Sequence, residues 1–187
     1  MQITAQEMKK SIEKIYKQLD KVSPVNFDCG TLCNSVCCAY DEDDYQNKDL
    51  ALYLLPGEEL IYEENEYFQL YYINPRELDY PYTWKDPVYL VECTNPPNCD
   101  RKKRPIQCRT FPLIPHITKG KLHLILDKHE FPYQCPIIEE NMKLNEDFIE
   151  ETYKVWKKLI TNPQVYDLIE FDSRRRNNKR IKYKIIK

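Results

Sequence analysis

Four cysteines within ten residues, Cys29, Cys33, Cys37 and Cys38, followed by Cys93, Cys99, Cys108 and Cys135, are the side chains of this chain best suited to chemistry. Thiolates are soft, negatively charged donors for zinc, iron or an iron–sulfur cluster, and a short loop carrying several of them can surround one ion. Metal binding is the reading this pattern favours. On a helix, Cys29, Cys33 and Cys37 fall at successive four-residue steps on one slowly drifting face, so three sulfurs can point the same way. Cys38 then turns aside by about a quarter of a circle or more. A loop running into one helical turn could instead aim both vicinal sulfurs inward, or Cys38 could serve a second site or bridge two metals. Gly30 permits positive φ early in this loop, and Asn34 and Ser35 can donate to bound sulfur.

The later cysteines each sit beside proline or turn residues: Cys93 and Cys99 flank Pro96 and Pro97, Cys108 follows Pro105, and Cys135 precedes Pro136. Rigid irregular loops are therefore expected to carry them. Four thiolates around a divalent ion leave net negative charge, so Arg104 and Arg109 are candidate donors to the ligated sulfurs. The histidines are weaker ligand candidates, because no paired spacing of the familiar zinc kinds occurs. His123 is expected to alternate out of a strand, and His116 to approach the site.

Two other uses of cysteine fit less well. A disulfide framework needs an oxidising compartment and usually a small secreted domain. The N-terminal stretch from Met1 to Asp20 alternates charges with isolated apolar residues and has no continuous apolar signal-peptide region. A cytoplasmic location is the expectation. Buried inert thiols suit one or two cysteines rather than four in ten residues.

The elements that must position these residues read as a small α+β domain. Its 187 residues are enough for one ordinary core. We expect one domain over residues 1–172, with a cysteine-rich core at 27–136, and a basic C-terminal tail at 173–187. The formal charge of −2 hides that asymmetry, since Ser173 to Lys187 contains no acid. No apolar stretch approaches the roughly 18 residues of a membrane span.

Thr4 to Glu7 is a capping-box pattern, and Met8, Ile12, Ile15, Leu19 and Val22 recur at helical spacing, predicting a first helix that ends by Pro24. This stripe is expected to pack on its own domain rather than form a dimer seam. Asp41 to Asp44 lacks the spaced ligands and glycine of a calcium loop and reads as a solvated acidic turn. Pro56 with acids behind it predicts a helix start. Tyr67 to Ile73, Val88 to Val91 and Leu122 to Leu126 read as strands, the last after a Lys119–Gly120 turn. The aromatic run from Tyr62 to Trp84 reads as a half-buried sheet face rather than a base-stacking surface. Phe148, Thr152, Val155, Trp156 and Leu159 mark a helix over 147–160, and Asn162–Pro163 begins one more through Phe171.

In order along the chain, Cys29-x3-Cys33-x3-Cys37-Cys38, Leu55-Pro-Gly-Glu58, Arg104-Pro-x-x-Cys108-Arg-x-Phe-Pro112 and Cys135-Pro136 resemble the bacterial and archaeal cysteine-cluster family of the CxxCxxCC or YkgJ type. That family is described as a zinc- or iron-chelating domain. The resemblance covers about residues 27–136 and implies that Cys29, Cys33, Cys37, Cys38, Cys108 and Cys135 are ligands, with Cys93 and Cys99 as further candidates. The first spacing departs from the family pattern, with three residues between Cys29 and Cys33 where the family has two.

The functional expectation is a protein coordinating zinc, iron or an iron–sulfur cluster, with a protein or peptide side chain as its candidate substrate. The alternative is a zinc-stabilised interaction module that binds nucleic acid or another anionic partner through its basic tail. Other enzyme classes lack their marks. The Cys-x3-Cys-x2-Cys spacing of radical S-adenosylmethionine enzymes is absent, as are a P-loop and a dinucleotide glycine fingerprint. A thiol nucleophile paired with His116 or His129 is disfavoured, because nothing singles out one cysteine from the others.

Overall fold

The computed structural model describes residues 4–33, 37, 51–62, 66–94, 100–127 and 135–187, apart from the side chains of Cys33 and Asp127. The chain forms a small α+β fold in which, among the described residues, helices surround two three-stranded antiparallel sheets. The acidic turn expected at Asp41 to Asp44 lies outside the described residues, as do Cys38, Cys99 and His129.

Helix α1 (Ala5–Leu19) starts at the predicted capping box, in which Thr4 Oγ1 accepts from Glu7 N and the Glu7 carboxylate accepts from Thr4 N at 2.9 Å. Its buried residues are Ile12, Ile15, Tyr16 and Leu19, so the apolar stripe does face the domain's own core. Helix α6 (Glu146–Leu159) packs on it, with Gln18 donating to Glu151 at 2.7 Å. Phe148, Thr152, Val155, Trp156 and Leu159 are all buried, as their spacing requires.

The first sheet has the order β1–β3–β2, formed by β1 (Leu52–Tyr53), β2 (Phe68–Ile73) and β3 (Val88–Cys93). Its register places Phe68 opposite Cys93 and Leu70 opposite Val91 on one face, which joins the main core. The other face carries Val88 and Leu90, which form a smaller core with Trp84 and Leu168. Of the aromatic run, Tyr62, Phe68 and Trp84 are buried. Tyr82 lies outside, its ring centre 4.3 Å from the Arg76 guanidinium and 4.2 Å from the Lys85 ammonium.

The second sheet has the order β4–β5–β6, formed by β4 (Leu113–Thr118), β5 (Lys121–Asp127) and β6 (Tyr183–Ile185). Cys93 closes strand β3 and Cys108 lies in a short helical segment followed by β4, which corrects the expectation that irregular loops carry these two cysteines. Pro115 fits because β4 is an edge strand, and Ile117, two residues on and pointing the same way, sends its N–H outward to Ser173 Oγ at 2.9 Å. A proline at an outward position forfeits no ladder bond. The acceptor belongs to helix α7 (Pro163–Asn178), which covers this edge.

Helix α7 runs on past Phe171 to Asn178, and after a turn at Lys179 and Arg180 the chain returns as β6 against β5. The basic segment 173–187 is thus built into the fold, and position 172 falls inside a helix. Lys187 is docked as well: Leu124 N donates to its carbonyl at 2.9 Å, and its ammonium pairs with Glu150. Among the described residues, no helix is long and apolar enough to cross a membrane.

Candidate metal centre

The segment carrying Cys108 is held by buried polar groups. Helix α3 (Glu59–Tyr62) starts at Glu59 rather than at Pro56, because Gly57 adopts a φ of +95° and turns Glu58 inward. Glu58 is fully buried. Its Oε1 accepts from Tyr16 Oη at 2.6 Å and from Ile106 N at 2.9 Å, while Oε2 accepts from Leu55 N at 2.9 Å. Ile106 begins helix α4 (Ile106–Thr110), the element that carries Cys108. The Leu55-Pro-Gly-Glu58 and Arg104-Pro-x-x-Cys108 motifs are therefore two halves of one contact.

The hydrogen bonds continue from Tyr16 Oη to Tyr62 Oη at 3.2 Å and from Tyr62 Oη to the Lys103 carbonyl at 2.7 Å. Burial pushes the Glu58 carboxyl above the usual glutamate range, against the opposing pull of the Tyr16, Ile106 and Leu55 donors. A proton on Glu58 would let each link, from Glu58 to Tyr16 to Tyr62 to the carbonyl, have its own donor hydrogen. The same burial raises Tyr16 and Tyr62 far above the usual phenol range, so both stay neutral donors.

Arg109 closes this frame. It is 1% exposed; its Nε donates to the Arg104 carbonyl and its Nη2 to the Lys102 carbonyl, each at 2.5 Å. Its Nη1 reaches the Tyr16 carbonyl and pairs with the Asp20 carboxylate, and its guanidinium carbon lies 4.1 Å from the Tyr16 ring centre. The expected Arg109 donation to sulfur thus meets a guanidinium already committed to protein oxygens on all three nitrogens. Its visible role is to fix the turn before Cys108.

The cysteines arrive at this frame from separate elements. Cys29 immediately precedes helix α2 (Gly30–Cys33) and packs against the main core, and Cys135 is the buried residue before helix α5 (Pro136–Glu139). Cys29 and Cys135 lie within electrostatic reach of each other. Cys108 lies within such reach of Tyr62, whose ring meets Phe68 edge-on at 5.3 Å, and Phe68 is the cross-strand partner of Cys93. Cys37 is exposed. Among the described residues, no three His, Cys, Asp or Glu side chains gather closely enough to hold one ion. The Cys33 side chain, Cys38 and Cys99 fall outside that description.

Two arginines act on Cys29. Burial pushes its thiol up, and the chief opposing influence is Arg104, followed by Arg101. Arg104 is 7% exposed, so the chief charge acting on this thiol is a buried cation. Arg101 was not indicated by the sequence reasoning. It stands in the basic run Arg101-Lys-Lys-Arg104, a pattern that usually marks a solvated face; here the two arginines turn inward while Lys102 and Lys103 stay exposed. The run's unusual signal is that arginines occupy its ends and lysines its middle.

His116, expected near the cysteines, lies on β4 beside the C-terminal end of α7. It is fully buried under α7, its Nδ1 3.3 Å from Arg176 Nη1 and its ring 4.6 Å from that of Tyr183. His123, opposite it on β5, is half-buried. Comparison with protein-family models, curated proteins and solved structures returns no match to this chain.

Proposed function

We infer that this chain is a metal-binding protein of the cysteine-cluster type, coordinating zinc, iron or an iron–sulfur cluster through its thiolates. One observation carries the reading: Cys29 and Cys135, distant in sequence, come within electrostatic reach of each other, and Cys29 within reach of Arg104 and Arg101. Cations acting on a partly buried thiol fit a site that would be anionic when loaded, since thiolate ligands bring more negative charge than one divalent ion removes. Cys93 and Cys108 reach the same frame from β3 and α4. Eight thiols also exceed the four of one structural zinc, which favours a cluster or more than one ion.

Metal and inorganic sulfide content, with an absorption spectrum, on protein purified without oxygen tests this. Iron with sulfide and a broad brown band identifies an iron–sulfur protein, and stoichiometric zinc in colourless protein identifies a zinc site. Protein carrying neither metal, and binding none on reconstitution, would overturn the proposal. Serine at Cys108 should lower both metal content and stability, because ligand binding and folding are linked.

A second reading, a zinc-stabilised module contacting nucleic acid or another anionic partner, rests on Lys179, Arg180, Lys182 and Lys184. All four are exposed and have no carboxylate partner among the described residues. Helix-dipole compensation and protection of an edge strand also account for basic residues here. Salt-dependent binding to a single-stranded oligonucleotide, lost when Lys182 and Lys184 become Gln, would favour the module. Its absence would leave those two local roles.

A further inference from the structure

We propose that the outer edge of β2 is an interface for a second copy of this chain, the two edges pairing antiparallel about a two-fold axis at Leu70 to make one continuous sheet. The proposal goes beyond the metal-binding reading and does not depend on it. Strand β2 ends the order β1–β3–β2, so one of its sides faces away from β3. Thr94 N donates to the Tyr67 carbonyl at 3.0 Å, and Leu54 N donates to the Tyr89 carbonyl at 2.8 Å from the other side of β3. Backbone groups alternate sides along an antiparallel strand, so Gln69, Tyr71 and Ile73 bond to β3 while Phe68, Leu70 and Tyr72 turn their N–H and C=O groups outward. Among the described residues, nothing hydrogen-bonds to those outward groups.

Natural sheets guard such an edge with charge, proline, a bulge or a covering element. The second sheet does so at β4, which carries Pro115 and lies under α7. Strands β1 and β6 are edges of only two and three residues. Strand β2 has six, Phe-Gln-Leu-Tyr-Tyr-Ile, paired to β3 without interruption and carrying neither charge nor proline, and its Tyr72 is 70% exposed. Charges stand instead at its two ends, with opposite sign. Glu63-Glu64-Asn65-Glu66 precedes the strand, and Glu66 is exposed. Past the other end, Arg76 and Lys85 donate to the Tyr82 carbonyl at 2.9 and 3.0 Å and lie over its ring, and neither has a carboxylate partner among the described residues. Asp79 and Asp86 of the same connection turn to α7, where they bond Arg175 and Gln164, leaving Glu77 against the two cations. A strand with an acidic start and a basic end is self-complementary in antiparallel pairing, because each acidic end meets the partner's basic end. Leu70 opposite the partner's Leu70 uses every outward residue of both strands, with two bonds for each facing pair. That register sets the exposed Tyr72 across from the partner's Phe68.

The test is sedimentation equilibrium of the full chain over a concentration series under reducing conditions, with amide hydrogen exchange by NMR, for wild type, Tyr72→Pro, Glu66→Lys and Glu13→Lys. Wild type should approach the mass of a dimer as concentration rises, and the Phe68, Leu70 and Tyr72 amides should gain protection in step, while Gln69 and Tyr71 stay protected throughout. Tyr72→Pro removes an outward N–H and no bond to β3; it should remain monomeric with an unchanged far-ultraviolet circular dichroism spectrum. Glu66→Lys sets like charges together at both ends of the interface and should weaken the dimer about tenfold. Glu13→Lys makes the same charge change at an exposed position of α1 and should match wild type. A wild type that stays monomeric overturns the proposal, as does a dimer in which the Leu70 amide gains no protection. Protection that appears only with an added alternating Thr–Glu peptide would give the edge to a foreign strand and overturn it too. An unchanged dimer affinity in Glu66→Lys, or an equal loss in Glu13→Lys, would overturn the pairing of opposite ends even if Tyr72→Pro failed to fold.

Discussion

The two ends of the main core are built on different physics. Around α6 and the second sheet, apolar side chains at regular spacing meet across helix and strand: Phe148, Val155, Trp156, Leu113 and Leu124 are essentially sealed from water. Around Cys29, Cys108 and Cys135 the same core is closed by a carboxyl, two phenols and two arginines with partners far off in sequence. Apolar packing is tolerant of small shifts, whereas a buried hydrogen-bond network fixes its members within a few tenths of an ångström. Precise placement is what a multi-thiolate site requires.

The sharpest way to break that contrast is a pair of substitutions of similar cost. Trp156→Ala should destabilise by about 3–5 kcal/mol through the cavity it leaves. Arg109→Leu should cost about 3–5 kcal/mol, because it strands Asp20 and three backbone carbonyls. Metal content of the folded fraction separates them: Trp156→Ala should retain its metal and Arg109→Leu should lose it. Equal retention would mean that the polar frame does not position the cysteines.

A smaller effect is expected at the turn that aims Glu58 inward. Gly57 has a φ of +95°, and a Cβ there would lie 2.5 Å from Met8 Cγ. Gly57→Ala should therefore cost about 1–3 kcal/mol in urea unfolding, and it should disturb the frame more than the apolar half, seen as faster amide exchange in α4 than in α6. Thr4→Ala, by removing the α1 cap, should cost about 1 kcal/mol and leave metal content unchanged.

The apolar half was legible in the sequence and the polar half largely was not. Five residues of α6 announced their helix by spacing alone, and all five are buried. The capping box at Thr4 formed as its pattern requires. Strand β4 was hidden by Pro112 and Pro115, since prolines argue against a strand unless the strand lies at an edge, and edge position is a property of the fold. The end of α7 was hidden because Arg174 to Asn178 has no apolar period; that turn is held by Ser173 and Arg176 against β4. The motifs around Glu58 and Cys108 were visible as motifs, but their bond spans 48 positions and no local pattern encodes it. Arg101 was invisible for the same reason: its anchor is Val22, 79 positions away.

The smallest effect concerns pH. Burial raises Glu58 above its ordinary value of 4.5, so the folded chain holds that proton more tightly than the unfolded one. The stability this contributes is complete below about pH 4.5 and is lost as pH rises through the raised folded value. Glu58→Gln removes the titration, so the stability of wild type relative to Glu58→Gln should fall with rising pH. A relative stability that grows with pH would show that the surrounding donors, not burial, set the proton affinity of Glu58.

Metal-edge X-ray absorption on wild type and on Cys135→Ser is the most direct measurement of whether thiolates from distant elements share one centre. The expected result is a sulfur-dominated shell, at about 2.3 Å if the ion is zinc, that loses sulfur when Cys135 is replaced. A shell of nitrogen and oxygen alone, or one unchanged by that replacement, would contradict a centre assembled from Cys29 and Cys135.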